Sequence, residues 1–217
     1  MVSVVSFIGY HNSGKTTFVK EVVKILKEKG YRIAVLKSTK HENVIKDTEG
    51  KDSYKYKEAG ANAIGIITPS ELILFKKLED FDLETLASKL FSDYDIVICE
   101  GFKKSKVPKF EITRKDIKEP LLVKNLENVI GVISDYEVDI DGVLKFPLDN
   151  PQKVATFLEE KFIKDRNEKV ELFVNGNKIP LKPFIRSMLK EILFGFIRPL
   201  KGIEETVKSL DVRIRRK

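Results

Sequence analysis

Short apolar runs alternate along this chain with stretches whose apolar residues recur every three or four positions. Residues 2–8, VSVVSFI, have the length and β-branched content of a buried strand. From Lys15 onward, Phe18, Val19, Val22, Val23, Ile25 and Leu26 keep helical spacing until Gly30, a C-cap. The run 31–36 predicts a second strand and a right-handed βαβ start to a parallel sheet. A short helix is expected over 54–59, ended by Gly60, and two strands over 63–68 and 71–75 around the turn Pro69-Ser70. Asp82 reads as the N-cap of a helix with Leu83, Leu86, Leu90 and Phe91 as its apolar positions. Strands are further expected over 94–100, 110–114 and 129–134, the middle one alternating. Asn150-Pro151 supplies an N-cap and a proline at the first helical position, for a helix that buries Val154, Phe157, Leu158 and Phe162. Strands alternating with helices give an α/β class, a doubly wound and mostly parallel sheet, in a first domain over residues 1–163.

The texture changes after a charged linker at 164–169. Two β-like runs flank Asn175-Gly176, a hairpin signal. Phe184, Ile185, Met188, Leu189, Ile192, Leu193, Phe196 and Ile197 form a helical stripe that is expected to pack on that hairpin. A last strand over 212–215 completes a small C-terminal α+β module, 170–217, of order β-β-α-β. Its size leaves it too small to be comfortably stable alone.

Composition adds limits. With 42% hydrophobic and 34% charged residues, the chain reads as soluble and globular. Its one cysteine excludes an intramolecular disulfide and makes a reducing cytoplasm the default. No apolar run is long enough to span a bilayer, and the chain opens on a strand rather than a signal peptide. Residues 164–217 carry 14 Lys/Arg against 7 Asp/Glu and so hold the whole formal charge of +7. A solvated basic surface explains this most simply; an anionic partner is the alternative.

Chemistry concentrates between the first strand and the first helix, at Gly9-Tyr-His-Asn-Ser-Gly-Lys-Thr16. Strand, G-x-x-x-x-G-K-T, helix is a phosphate-binding loop in its required setting. Glycines let the backbone curl until the N–H groups of residues 12 to 17 face one anion, and the helix N-terminus adds its positive end. The candidate nucleotide-binding residues are Gly9, His11, Asn12, Ser13, Gly14, Lys15, Thr16 and Thr17. Lys15 is expected on the β- and γ-phosphates, and the Thr16 hydroxyl on Mg²⁺. The side chain of His11 reads as an outward loop group rather than a ligand.

A second element ends the run 94–100. An apolar strand closing on a carboxylate resembles a Walker B strand and puts Glu100 at the C-terminal edge of the sheet, where ligands gather. Glu100 is expected to hold Mg²⁺ through water or to orient an attacking water. The polar stretch 47–53 brings Asp47, Asp52 and Ser53 as further candidates; metal contact and loop capping are competing uses of Asp47. Cys99 reads as a small core residue.

Several strings occur here in one order: the phosphate loop; Lys37, Thr39, His41 and Asp47; Gly50-Lys-Asp-Ser53 with Ala59-Gly-Ala61; and Glu100-Gly-Phe-Lys103 with Pro108-Lys109 and Glu111. Together they resemble the MobB family, accessory GTP-binding proteins of molybdopterin guanine dinucleotide synthesis. Ile133-Ser-Asp135 and the Asn150-Pro151 helix also match, so the resemblance covers about residues 2–162. The C-terminal module resembles an extension carried by some archaeal and thermophile members.

The resemblance implies a P-loop NTPase that binds GTP with Mg²⁺, hydrolyses it slowly and forms a homodimer. It implies assistance to a MobA-type guanylyltransferase, which joins GMP to molybdopterin for molybdenum or tungsten enzymes. By position it assigns phosphate and metal binding to Gly14, Lys15, Thr16 and Thr17, and acidic site roles to Asp47 and Glu100. Lys51, Asp52 and Lys103 become candidate contacts to substrate or phosphate; on the residue reading above, Lys15 and Glu100 are the catalytic candidates. This chain departs from the family at Ser38 and Lys40, where bacterial members have histidines, at Lys55-Tyr56, where they have Arg-His, and at Glu49, where they have proline. His11 and His41 are its only histidines. It has no Asn-Lys-x-Asp string, which leaves Lys124-Asn125 and Asp135 as candidates for guanine recognition.

Two readings of other classes stand beside this one. A small-molecule kinase would use Glu100 or Asp47 as a base, yet only Arg32 and Arg114 precede Arg166, few arginines for a phosphate clamp. A partner-binding or nucleic-acid-binding module would work through the basic tail, though its aromatics fit a core pattern better than a stacking surface.

Overall fold

A computed structural model describes residues 2–40, 52–78, 80–164, 170, 172–175, 177–202, 207, 210, 212 and 214. The chain divides into two compact units, 2–165 and 166–217, each taken by itself below.

The first unit rests on six parallel strands: β1 (Ser3–Ile8), β2 (Ile33–Lys37), β5 (Ile96–Glu100), β6 (Lys109–Ile112), β7 (Val129–Ser134) and β8 (Leu144–Pro147). Their order across the sheet is β2-β5-β1-β6-β7-β8. The expected βαβ start is thus a crossover that skips a position: β5 lies between β1 and β2, and Glu100 sits opposite both Phe7 and Lys37.

Both faces of the sheet are covered, which is why its inner strands β1, β5 and β6 are buried at nearly every position rather than at every second one. On one face, Val5, Phe7, Ile96 and Ile98 pack with Phe18, Val22 and Leu26 of α1 (Lys15–Glu28) and with Val154 and Leu158 of α4 (Pro151–Leu158). On the other, Val4, Val97 and Cys99 meet Leu83 and Ala87 of α3 (Leu83–Leu90). Burial raises the Cys99 thiol to about 12, as suits a core residue.

Sequence and structure differ at several places. The buried face of α3 is Leu83 with Ala87, while Leu90 is exposed. The alternating strand expected over 110–114 is β6, a central strand buried at all four positions. There the Lys109 ammonium donates to the carbonyls of Val107 (3.2 Å) and Glu127 (2.9 Å), so no buried charge is left without acceptors. β8 had no counterpart among the expected strands; it is an edge strand, short and closed by a proline. β3 (Ala63–Ile67) and β4 (Leu72–Lys76) pair antiparallel as a ribbon separate from the main sheet, next to α2 (Asp52–Glu58). α4 buries Val154, Ala155 and Leu158 and runs on through a wider π-type turn, Glu159–Lys164, that buries Ile163; Phe157 and Phe162 are partly buried.

The second unit holds the hairpin of β9 (Leu172–Val174) and β10 (Asn177–Ile179), with Val174 opposite Asn177 across the expected turn. α5 (Pro183–Ile197) follows. Its stripe divides: Ile197 is buried, while Phe184, Met188, Ile192 and Phe196, spaced four apart, form an exposed row. Of the strand expected over 212–215, Val212 and Ile214 lie in no strand, and Arg213 and Arg215 fall outside the described residues.

Candidate functional site

Two neighbouring parallel strands end side by side and build the site. β1 runs into the loop from Gly9 to Thr16, and β5 delivers Glu100 next to it. Sequence dictates the local path. A Cβ at Gly9 would lie 2.4 Å from the Ile112 carbonyl oxygen, so only glycine lets the chain leave β1 this close to β6. Gly14 has φ +84, a left-handed conformation that turns the chain into α1, and the Arg114 guanidinium lies 2.7 Å from where its Cβ would be.

Within the loop, Ser13 is buried and its N–H is turned to the Tyr10 carbonyl at 3.4 Å, so this one of the six expected amides is engaged inside the curl. The Lys15 ammonium folds back over the loop and donates to the Tyr10 carbonyl at 2.5 Å and to Ser13 Oγ at 3.4 Å. Burial lowers the Lys15 pKa; Glu100 opposes that shift, and Lys103 and Lys37 reinforce it. Lys103 stands over the Tyr10 ring at 4.7 Å. Lys15, Lys37, Lys103 and Arg114 therefore ring the loop with positive charge, a field suited to a polyphosphate.

Opposite Lys15, the Thr16 hydroxyl reaches both carboxylate oxygens of Glu100, at 2.9 and 3.0 Å. Lys37 pairs with the same carboxylate at 3.2 Å. Glu100 is held from behind, since its carbonyl accepts from Ser38 N–H at 2.9 Å and the next N–H, at Gly101, donates to Phe7 at 2.9 Å. Two of the three residues expected at the metal, Thr16 and Glu100, thus converge from positions 84 apart in sequence, while the third, Asp47, lies outside the described residues. Among the described residues no three His, Cys, Asp or Glu side chains gather as a metal site. A hydroxyl and a carboxylate are hard oxygen donors, and this sparse pair suits magnesium, which keeps several waters and is completed by phosphate oxygens.

Other expected site residues are placed differently. His11 and Asn12 are exposed at the loop apex, Asn12 with φ +59. Asp52 heads α2, exposed and paired with Lys55 at 3.0 Å; no described contact joins it to the phosphate loop. Asp47 and Lys51, with His41, lie outside the described residues. Asp135 accepts the Lys115 N–H at 2.8 Å. Glu111, part of the family strings, is buried and accepts the N–H groups of Leu122 and Val123 at 2.8 and 2.9 Å. Burial raises its pKa and those two bonds oppose the rise, which makes it a brace for the 121–124 turn.

Arg114 was the residue that sequence reasoning passed over as a site group. Its Nε donates to the Ser13 carbonyl at 3.3 Å, from just past the end of β6, the strand next to β1. The available signal was positional: it follows the C-terminal end of a parallel strand, as Glu100 ends another. Arg114 separates two clefts. One, of about 540 Å³, opens at the loop apex between His11, Asn12 and residues 116–119. The other, of about 280 Å³, lies between the first turns of α1 and residues 148–151.

Comparison with known proteins agrees with this fold. Residues 4–135 match the family model described as MobB, molybdopterin guanine dinucleotide synthesis protein B. A relative from Methanocaldococcus jannaschii is 31% identical over 97% of both chains, an alignment that takes in most of the second unit. The molybdopterin-guanine dinucleotide biosynthesis adapter protein of Escherichia coli is 29% identical over 74% of this chain and 93% of its own. A crystal structure of molybdopterin-guanine biosynthesis protein B, 29% identical, superposes with a TM-score of 0.57 over 73% of this chain and 98% of its own. Bacillus subtilis MobB, 28% identical, gives 0.57 over 76% and 99%. Among the described residues no helix is long and apolar enough to cross a membrane. With its phosphate loop, its parallel sheet and a family match over well over half its length, the chain belongs to the MobB family.

Proposed function

We propose that this chain is a GTP-binding, slowly GTP-hydrolysing adapter of molybdenum or tungsten cofactor synthesis. It assists a MobA-type guanylyltransferase in joining GMP to molybdopterin. The observation that carries the reading is the meeting of Thr16 with Glu100 beside the Lys15 loop, the arrangement a metal-bound triphosphate needs. Amides of the loop and the α1 N-terminus bind phosphate oxygens, and Lys15 leaves the Tyr10 carbonyl for the β- and γ-phosphates. Thr16 and Glu100 would hold Mg²⁺, whose chemistry there is to neutralise phosphate charge. Glu100 orients the attacking water. The names of the relatives, biosynthesis adapter proteins, support the cofactor-assembly role.

Titration of the intact chain with GTP and ATP, each with Mg²⁺, tests this reading. GTP is expected to bind more tightly, and Lys15→Ala to weaken it by at least tenfold; a tenfold preference for ATP or an unaffected Lys15→Ala would refute it. A kinase reading gains Arg114 near the loop but no further arginine among the described residues of this unit except Arg32, which pairs with Asp93 at 2.5 Å on the surface.

A further inference from the structure

The geometry points to a nucleoside subsite, distinct from the phosphate loop, in which Asp149 reads the base. The inference rests on the triphosphate-binding reading above and deepens it. Lys15, Thr16 and Glu100 fix the terminal-phosphate and metal end of a nucleotide on the β5 side of the loop. The remainder of the molecule must therefore leave toward the first turns of α1 and the ends of β6 to β8, over the C-terminal edge of the sheet.

A cleft of about 280 Å³ lies there, walled by Thr17, Phe18 and Glu21 on one side and by Leu148, Asp149 and Pro151 on the other. Arg114, pinned to the Ser13 carbonyl, closes its phosphate end and can meet the inner phosphate. Phe18 and Leu148 supply apolar wall, as a base needs.

The Asp149 wall is held still. Leu148 N–H donates to the Ser134 carbonyl at 2.9 Å, Asn150 N–H to Pro147 at 3.2 Å, and Asn150 Oδ1 caps α4 through Lys153 N–H at 3.2 Å. Asp149 itself is exposed, and no hydrogen bond or ion pair joins its carboxylate to another described residue. An ionised carboxylate only accepts. Guanine presents N1–H and its 2-amino group side by side, two donors for one carboxylate. Adenine sets a donor beside an acceptor and cannot satisfy that pair. Glu21, one helical turn beyond Thr17, lines the α1 wall of the cleft, across from Asp149.

The test compares GTP, xanthosine triphosphate, inosine triphosphate and inorganic tripolyphosphate on the full chain with Mg²⁺. Inosine triphosphate, which lacks the 2-amino group, is expected to bind about tenfold more weakly than GTP. Asp149→Asn replaces an acceptor by a donor that matches the 2-oxo group of xanthine. It is expected to weaken GTP at least tenfold, to tighten xanthosine triphosphate, and to leave tripolyphosphate unchanged. Glu21→Gln is expected to move both nucleotides together. An Asp149→Asn protein with the wild-type ratio of GTP to xanthosine triphosphate, or a Glu21→Gln protein that inverts it, overturns the subsite while the phosphate-loop reading stands. A wild-type chain that binds neither nucleotide nor tripolyphosphate overturns both.

Discussion

Glu159 shows how one side chain can tie three elements together. Its carboxylate is largely covered and meets Lys164 at 2.7 Å, Tyr31 at 2.9 Å and Lys29. The bond from Lys164, then those from Lys29 and Tyr31, hold its pKa down at about 2. A carboxylate depressed in the folded state adds stability above its unfolded pKa, near ~4.3, and that contribution fades as pH falls from about 5 toward 2. The melting temperature of Glu159→Gln is therefore expected below wild type at pH 7, with the gap closing toward pH 2; a gap constant across that range contradicts the assignment. Sequence did not reveal this cluster, because its members are 128 and 130 positions apart. Arg114 was hidden for the same reason, at 101 positions from Ser13. Lys15, Thr16 and Glu100 were legible because a phosphate loop and a strand-ending carboxylate carry their chemistry in contiguous residues.

At the level of elements, local rules read well and pairing rules did not. Asp82 accepts the Thr85 N–H at 2.8 Å and Asn150 that of Lys153, both from the N-cap positions the sequence marks. β6 is a strand as expected, but Glu111 gives the run 110–114 an alternation that reads as one open face, whereas two backbone N–H groups satisfy its carboxylate inside the sheet. β8 escaped because its polar surroundings and terminal proline give little strand signal, and its place depends on β7. What makes the β6–β7 seam close is Gly131. A Cβ there would fall 2.8 Å from a Phe110 ring carbon and 3.2 Å from Phe146, rings already in contact at 6.0 Å between centroids. Gly131→Ala is expected to cost about 1–3 kcal/mol through overpacking. Denaturant unfolding measures this, as a lower midpoint with unchanged slope; an unchanged midpoint would show that Phe110 steps aside freely.

For the whole molecule, the doubly wound class was readable from alternating elements, but the order β2-β5-β1-β6-β7-β8 was not, since periodicity carries no information about which strand lies beside which. The same limit hid the isolation of the β3–β4 ribbon. Ile67, Leu72 and Leu74 share one face of it and are 82%, 65% and 46% exposed, with Ile67 and Leu72 directly opposed. The other face, carrying Ile64, Ile66, Ile73 and Phe75, is better covered, with Ile73 its most open position at 39%. A contiguous apolar face on a two-stranded ribbon is costly in water, and unpaired ribbon edges invite a further strand. The family resemblance implies a homodimer, and we propose that a second copy of the chain covers this face. Leu72→Glu, at a position already exposed, is expected to leave the melting temperature of the single chain nearly unchanged while shifting the mass seen by light scattering from two chains to one. A wild-type chain that runs as a monomer at tens of micromolar, or a Leu72→Glu chain that stays dimeric, would remove the ribbon from the interface and leave its apolar face unexplained.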